Sequence, residues 1–301
     1  MSNQKSIDVI IAPPPPHMVG DGFRVHNFFP NSRFIDKKRM SPFFMLDYGS
    51  KIEFNPSDEP RGVGVHPHAG FETVTIAYHG KIAHHDSAGN SGIIGEGDVQ
   101  WMTAGSGLLH KEYHEKEFSK TGGLFQMVQL WVNLPAKDKK VKPKYQEITN
   151  SAMGKAYLND KTSFIEVIAG EYGGVKGPAS TFTPMQVYNA KLNKGVSAEF
   201  NLPANFNTGL LVIEGTIKVN ARPDDPVGRD KEVLNDNFVL LKNDGEQFTI
   251  EATTDAVVLI LSGEPIEEPI AAYGPFLMNT WQEVEEAIND VNAGKFGVLQ
   301  D

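Results

Sequence analysis

Hydrophobic and polar residues alternate in short runs along most of this chain. The runs are rich in Val, Ile, Thr and aromatic residues, and Gly, Asn, Asp and Pro interrupt them. Examples are Glu72–Tyr78, Leu124–Val132, Gly209–Val219 and Asn237–Lys242. Short strands separated by turn residues are typical of a β-sandwich or β-barrel. The pattern therefore predicts an all-β protein.

One segment near the end has a helical period instead. Thr280–Glu283 has the form of a capping box, and Gly294 offers a C-terminal stop. Between them, four apolar residues fall on one helical face: Val284, Ala287, Ile288 and Val291. The sequence predicts a short helix over about residues 281–293, packed on a sheet.

A weak internal repeat indicates two copies of one β-unit. Ile76–Ile82 and Leu211–Ile217 both pass from an apolar strand through a glycine turn into a second strand. Lys- and Pro-rich residues 136–144 separate the two copies. We therefore predict a first domain over residues 1–135, a linker over 136–144, and a second domain over 145–301 that ends in the helix.

Composition limits the class of protein. The 301 residues contain no cysteine, which excludes disulfides, thiolate metal ligands and a cysteine nucleophile. The formal net charge of −10 argues against direct nucleic-acid binding, and the basic cluster Lys137–Lys144 is interpreted as a solvated linker. No apolar run approaches the ~20 residues of a membrane span, and we recognise no signal peptide. We expect a cytoplasmic protein that binds no membrane.

The histidines point to a metal. All nine lie in the first 114 residues, and His66-Pro67-His68 and His110-Lys111-Glu112 each place two possible ligands at positions i and i+2. Residues at this spacing face the same side of a strand, so two such strands can close on one ion. Three neutral imidazoles and a carboxylate suit a divalent transition metal with open coordination positions. The predicted ligands are His66, His68, His110 and Glu112.

The second copy of the repeat lacks this set. When the glycines of the two copies are aligned, the four ligand positions correspond to Asn201, Pro203, Ile250 and Ala252. We therefore expect a metal in the first domain alone. The other histidines after His68 are interpreted as loop or rim residues: His79, His84, His85 and His114. His84 and His85 are adjacent and face opposite sides of a strand, so we interpret them as a surface pair.

The two histidine motifs closely resemble the pirin family. They are HPHAGFETVT (66–75) and GDVQWMTAGSGLLHKE (97–112), and WVNLP (131–135) and LSGEPIEEPIAAYGPFLMNT (261–280) extend the resemblance over nearly the whole chain. The chain departs from the family pattern at Ala69, where arginine is common, and at Lys111, where a small residue is common. Both positions lie beside predicted ligands and neither removes one.

The resemblance implies two tandem cupin domains, which are jelly-roll β-barrels, with metal in the first domain alone. Glu72 is the carboxylate ligand in many ordinary cupins and is therefore an alternative to Glu112. We prefer Glu112 because it alone pairs with a histidine at i, i+2. Glu72 would then support the ligands or hold a turn.

The resemblance also implies an activity, quercetin 2,3-dioxygenase, in which dioxygen opens the ring of a flavonol. Glu112 would be the catalytic base that takes the proton of the 3-hydroxyl group. The metal implied is iron(II), although manganese, cobalt, nickel, copper or zinc would fit the same ligands. The partners are then a small aromatic substrate and dioxygen, and we expect a monomer because two fused cupins can bury each other's faces.

The resemblance allows an alternative function. Some pirins act on a transcription regulator or a metabolic enzyme through protein contacts, with iron controlling the binding surface. An open path to the metal would favour catalysis, whereas a closed site would favour regulation. A third interpretation, a cupin isomerase or decarboxylase, needs a basic residue for a substrate anion, and Lys111 is the one such residue within the motifs.

Overall fold

The computed structural model describes residues 3–31, 34–221 and 232–300. The described residues form 26 β-strands and two α-helices, so the prediction of an all-β fold with one short C-terminal helix is confirmed. The strands of the first half are β1 (Ile7–Ile11), β2 (His17–Val19), β3 (Phe23–Phe29), β4 (Phe43–Phe54), β5 (Gly62–His68), β6 (Phe71–His79), β7 (Ile82–Asp86), β8 (Ser91–Ile94), β9 (Val99–Thr103), β10 (Leu108–His114), β11 (Gly123–Asn133) and β12 (Lys144–Ile148).

The strands of the second half are β13 (Gly154–Tyr157), β14 (Phe164–Ala169), β15 (Glu171–Tyr172), β16 (Val175–Lys176), β17 (Met185–Leu192), β18 (Ser197–Asn201), β19 (Asn207–Glu214), β20 (Thr216–Val219), β21 (Glu232–Leu234), β22 (Phe238–Leu241), β23 (Gln247–Ala252), β24 (Ala256–Gly263), β25 (Ala271–Tyr273) and β26 (Phe276–Met278). The helices are α1 (Lys116–Thr121) and α2 (Trp281–Asn292).

One compact unit consists of Pro14–Asn31, Pro42–Ser151 and Ile266–Asp301. It contains an antiparallel seven-stranded sheet, in the order β12-β9-β6-β11-β4-β3-β2, and an antiparallel four-stranded sheet, β5-β10-β7-β8. A cluster of apolar side chains from both sheets, including Phe23, Phe125 and Ile82, packs together. Both histidine motifs lie in this unit, which we call the histidine unit.

The other compact unit consists of Met1–Pro13, Ser32–Ser41 and Ala152–Pro265, and we call it the apolar unit. Its seven-stranded sheet has the order β1-β22-β19-β24-β17-β14-β13, and its four-stranded sheet has the order β18-β23-β20-β21. Aliphatic and aromatic side chains from both sheets form one continuous core. The two units thus have the same arrangement of one large and one small antiparallel sheet.

Each compact unit is built from three separate stretches of the chain. The sequence predicted instead a sequential division at residues 136–144. Strand β1 pairs with β22 of the apolar unit, although it lies at the start of the chain. Residues 266–301 return to the histidine unit, where Phe276 forms a bridge with Ala69. The reason is strand pairing, which joins segments that are distant in sequence.

Lys139 is buried, so the interpretation of Lys137–Lys144 as a solvated stretch is wrong at this position. Its Nζ donates to the carbonyl oxygens of Gly70, at 2.9 Å, and Leu277, at 2.7 Å, and to Asn133 Oδ1 at 2.6 Å. Burial lowers the pKa of Lys139 to about 7. Because Gly70 follows His68 by two residues, Lys139 anchors the turn between β5 and β6.

Helix α2 begins as the sequence predicts. Thr280 Oγ1 accepts from the Glu283 amide at 3.2 Å, and Glu283 Oε2 accepts from the Thr280 amide at 2.9 Å, which completes the capping box. Val284 and Ala287 are buried against the β25–β26 hairpin. Neither helix in the described part of the chain combines the length and apolarity that crossing a bilayer requires.

Candidate metal centre

Strands β5 and β10 bring the two histidine motifs together. They are antiparallel neighbours, and His66 lies directly opposite His110, while His68 lies opposite Leu108. Along β10 every second residue is buried, so His110 and Glu112 share the inner face of the sheet. The i, i+2 spacing in the sequence therefore becomes one cluster on one wall of the barrel.

Three of the four predicted ligands converge. One nitrogen from each of His66, His68 and His110 lies within 4.8 Å of the others. Their ring centroids are 4.8 Å apart for His66 and His68, 4.2 Å for His66 and His110, and 4.7 Å for His68 and His110. Burial lowers the pKa values of His68 and His110 well below 6.5. These imidazoles are therefore neutral, which is the form that binds metals.

The hydrogen bonds leave free nitrogens facing the cluster. His66 Nδ1 lies 2.8 Å from the Gly64 carbonyl oxygen, so Nδ1 carries the proton and Nε2 offers a lone pair. His68 Nδ1 and His110 Nε2 are buried and have no hydrogen-bond partner within the described part of the chain. Unpaired buried nitrogens destabilise a fold by about 1–3 kcal/mol each. A divalent ion would satisfy them, so these residues fit a metal.

Glu112 lies beside this trio but is held by other side chains. Its Oε1 accepts from Gln100 Nε2 at 3.1 Å and from Thr75 Oγ1 at 3.3 Å, and its Oε2 accepts from Gln129 Nε2 at 2.7 Å. Glu112, His110 and His84 form a second cluster, in which the possible ligand atoms lie within 4.8 Å of one another. His110 is common to both clusters.

Glu72 lies on the opposite face of β6. Phe71 contacts His68, with ring centroids 5.0 Å apart, and Thr75 contacts Glu112, so odd-numbered positions of β6 face the cluster. Glu72 is fully buried, and its Oε1 accepts from Thr103 Oγ1 at 2.7 Å. Burial raises its pKa to about 7. Its position on the sheet separates it from the predicted ligands.

The sequence interpretation missed two buried histidines. His84 and His114 are at most 1% exposed, so their interpretation as rim residues is wrong, whereas His85 is exposed as expected. The cause is strand pairing: His84 lies opposite Glu112, and Asp86 lies opposite His110. A signal was present, because Ile82, His84 and Asp86 alternate with the same period as the inner residues of β10.

A cavity opens onto the cluster. Its volume is about 40 Å³. Four of the lining residues are polar: Asp47, His66, Glu112 and Gln129. The others are apolar: Val19, Phe23, Val25, Val63 and Met127. Asp47 accepts from Asn27 Nδ2 at 2.8 Å, and burial raises the pKa of Asp47.

The corresponding strands of the apolar unit carry no histidine or carboxylate at their inner positions, as far as this unit is described. Phe200 lies opposite Phe248, and Ala198 lies opposite Ile250, all four buried. The alignment by glycines is correct in placing Ile250 and Ala252 inside, but it is wrong at Asn201 and Pro203, which are exposed. Five residues connect β18 to β19, whereas two connect β5 to β6, and these three extra residues shift the inner positions of β18.

Comparisons with known proteins agree with this architecture. Models of the families described as Pirin and as Pirin C-terminal cupin domain match residues 22–132 and 187–297. A Pseudomonas aeruginosa protein provisionally named quercetin 2,3-dioxygenase is 44% identical over 280 residues, or 93% of this chain and 94% of that protein. Pirin-like protein 2 of Arabidopsis thaliana is 37% identical over 282 residues, or 92% and 81%.

A solved structure is similarly close. The crystal structure of quercetin 2,3-dioxygenase from Acinetobacter baumannii superposes with a TM-score of 0.90 at 44% sequence identity, covering 99% of this chain and 100% of that one. The two family models match separate regions of the chain, which confirms the prediction of two tandem domains of the cupin class.

Proposed function

We propose that this chain, which belongs to the pirin family, is a metal-dependent dioxygenase that opens the ring of a flavonol such as quercetin. The observation that carries the proposal is the convergence of three imidazoles, two of them with unpaired buried nitrogens, beside a partly apolar cavity that His66 and Glu112 line. The names of the relatives at 44% identity support the same activity.

His66, His68 and His110 would hold the metal, with Glu112 as the fourth ligand. A divalent ion there supplies Lewis acidity and open positions for oxygen ligands. The family resemblance favours iron(II), while the donor set equally admits manganese, cobalt, nickel, copper or zinc. Phe71 and Trp131 pack on His68, with ring centroids 5.0 and 5.3 Å from it, and fix the orientation of this imidazole.

Glu112 would act as the general base. Its carboxylate accepts hydrogen bonds from Gln100, Gln129 and Thr75, which fix its orientation. It also lines the cavity beside His66, where the oxygen-bearing edge of a substrate would enter. From that position Glu112 takes the proton of the substrate's 3-hydroxyl group, and the resulting oxyanion faces the histidines.

The cavity restricts how a flavonol can bind. His66 and Glu112 both line it, so the oxygen-bearing edge of the substrate enters beside these two residues and the remaining rings lie toward the mouth. Val19, Phe23 and Met127 offer apolar contacts for a flat ring. Asp47 is an acceptor for a substrate hydroxyl and, together with Glu112, disfavours carboxylated ligands.

The proposal is tested by the aerobic loss of the quercetin absorption band. Protein loaded with iron(II), and separately with each of the other metals, is compared with metal-free protein and with His110→Ala treated identically. Metal content is measured in every sample. We expect fast, saturable decay in loaded protein alone. A fully loaded protein that leaves quercetin intact contradicts the proposal.

The burial of most of the predicted ligands also favours a second candidate, an iron-dependent regulatory protein that acts through protein contacts. His68, His110 and Glu112 are all at most 4% exposed, so an ion could report its redox state without admitting a large ligand. This function predicts no quercetin decay at full metal occupancy. It also predicts that one partner protein is recovered in near-stoichiometric amount when loaded protein is used as bait, and is lost with His110→Ala.

A further inference from the structure

We propose that His84 and Asp86 are positioning residues that fix the ring and the proton of His110, so that His110 Nε2 presents its lone pair to the metal. This inference rests on the metal centre of the proposed function, but it does not depend on the substrate. It concerns two residues of β7 that lie behind His110 on the inner face of the four-stranded sheet.

The contacts of His84 form a continuous chain. Its Nε2 lies 3.4 Å from Asp86 Oδ2, and its Nδ1 lies 3.5 Å from His110 Nδ1 and 3.3 Å from Gln100 Nε2. The His84 ring is 0% exposed and stacks on Tyr145, with centroids 5.2 Å apart and planes at 16°. These distances are at the long end of the hydrogen-bond range, which is common at sites that tighten when their ligand binds.

The donors and acceptors permit one arrangement of protons. Tyr145 Oη donates to Gln100 Oε1 at 3.4 Å, which turns the amide nitrogen of Gln100 toward His84 and Glu112. A nitrogen that receives the Gln100 N–H must carry a lone pair, so His84 Nδ1 is an acceptor. The proton of His84 then lies on Nε2 and is donated to the Asp86 carboxylate.

The same reasoning extends to His110. Because His84 Nδ1 is an acceptor, His110 Nδ1 must donate to it and carries the proton of that ring. The lone pair of His110 is therefore on Nε2, which is the buried nitrogen without a hydrogen-bond partner among the described residues. An outer carboxylate or imidazole that receives the second N–H of a metal-binding histidine fixes its tautomer and raises its basicity.

Direct coordination by His84 is the competing explanation, because His84, His110 and Glu112 also form a cluster of possible ligands. Both ring nitrogens of His84 are already engaged: Nε2 faces Asp86, and Nδ1 faces two donors. His84 consequently has no lone pair directed at an ion, whereas His110 does. The geometry favours positioning over coordination.

The first test needs no mutation. In the metal-free full chain, long-range ¹H–¹⁵N correlation spectra distinguish the two neutral tautomers of each histidine, and the ring signals are assigned by through-bond correlation to the assigned backbone. We expect His84 with its proton on Nε2 and His110 with its proton on Nδ1. A His110 ring protonated on Nε2 overturns the proposal, and this outcome is independent of whether any variant folds.

The second test measures cobalt(II) affinity by competition with a chelator. His84→Phe keeps an aromatic ring next to Tyr145 but removes the acceptor, and we expect affinity to fall about 10–100-fold. His84→Asn places an acceptor oxygen near the former Nδ1 and should recover most of the loss. His114→Phe is the matched control, since His114 is equally buried on β10 but bonds to the Gly22 carbonyl. Its affinity should be unchanged.

X-ray absorption of the cobalt-loaded variants separates the two explanations. Positioning predicts the same number of nitrogen neighbours in His84→Phe as in the unmodified protein, and one fewer neighbour would make His84 a ligand instead. Unchanged cobalt affinity in folded His84→Phe also overturns the proposal. Loss of quercetin turnover is not used as a readout, so an inactive protein would count against the proposed function alone.

Discussion

The two four-stranded sheets of this protein have equivalent strand orders, but the inner face is polar in one sheet and apolar in the other. In β5-β10-β7-β8, strand β10 carries His110 and Glu112 on its inner face. In β18-β23-β20-β21, the equivalent strand β23 carries Phe248 and Ile250 on its inner face. The inner faces of the two seven-stranded sheets differ in the same way. Gln100 and Gln129 face the polar cluster, while the inner residues of β22 and β24, such as Val239 and Val258, are apolar.

The difference shows that a polar interior requires matching donors and acceptors on both walls. Each buried polar atom must find a partner, because an unsatisfied one costs about 1–3 kcal/mol. The apolar unit meets its packing requirement with side chains that need no partner. The histidine unit instead depends on a network in which three nitrogens remain available, and that availability is the functional feature.

The largest expected effect is the loss of the metal from His110→Ala. His110 belongs to both ligand clusters and is fully buried, so its removal opens a gap that water fills. We expect metal affinity to fall by more than roughly 100-fold, beyond the effect of outer residues, and turnover to reach background. Metal content after dialysis measures this. His85→Ala, on the outer face, is the control, and a His110→Ala protein with full metal and full turnover would rule out this ligand set.

Glu112→Gln should distinguish a role of Glu112 in metal binding from a role in catalysis. The amide cannot accept a proton, so we expect turnover to fall about 10²–10⁴-fold while metal content stays close to normal. Steady-state quercetin decay and metal analysis on the same sample measure the two quantities. Unchanged turnover would remove Glu112 as the base, and a large drop in metal content would make it primarily a ligand.

Phe248→Ala tests the core of the apolar unit. Phe248 is fully buried and stacks on Phe200, with centroids 4.9 Å apart, so its truncation leaves a cavity in the apolar unit. We expect the free energy of unfolding to fall by about 3–5 kcal/mol, with metal content per folded protein unchanged. Urea unfolding followed by circular dichroism measures the first quantity. Loss of metal from folded Phe248→Ala would show that the two interiors are not independent.

The smallest expected effect is on the pH dependence of stability, and it involves Glu72, the buried carboxyl group on the other face of β6. Burial raises the pKa of Glu72 in the folded protein from its usual value near 4.5 to about 7, so the wild-type protein loses stability as pH rises from about 4.5 through 7. Glu72→Gln lacks this titration and should gain roughly 1–3 kcal/mol relative to wild type between pH 5 and 8. Melting temperatures across that range measure it. Metal content should not change, and a loss of metal would return Glu72 to the ligand set.

Periodic features of the sequence predicted much of this molecule. The apolar run Leu124–Val132 lies within β11, and the capping box at Thr280 begins α2. The i, i+2 histidine pairs place His66, His68 and His110 in one cluster. These features are local, because two residues on one strand or one helical turn share a face whatever the rest of the chain does.

Features that depend on distant pairing could not be predicted in this way. The alternation of Ile82, His84 and Asp86 favours His84 as the inner ring of the pair His84-His85, but only the pairing of β7 with β10 places it opposite Glu112. The burial of Lys139 likewise depends on carbonyl groups of Gly70 and Leu277, which are far from it in sequence. Helix α1, over Lys116–Thr121, is too short to show a hydrophobic period.

The single amide of Gln100 has a consequence for redesigning this protein. Its nitrogen donates to both His84 and Glu112, so the residue that holds His84, which in turn positions His110, also orients the proposed base. Substitutions at His84 and Glu112 are therefore expected to be epistatic, with a combined effect that differs from the sum of the two. An engineer who wants a new base here must select variants of His84, Gln100 and Glu112 together, since a library that varies one position at a time would discard workable combinations.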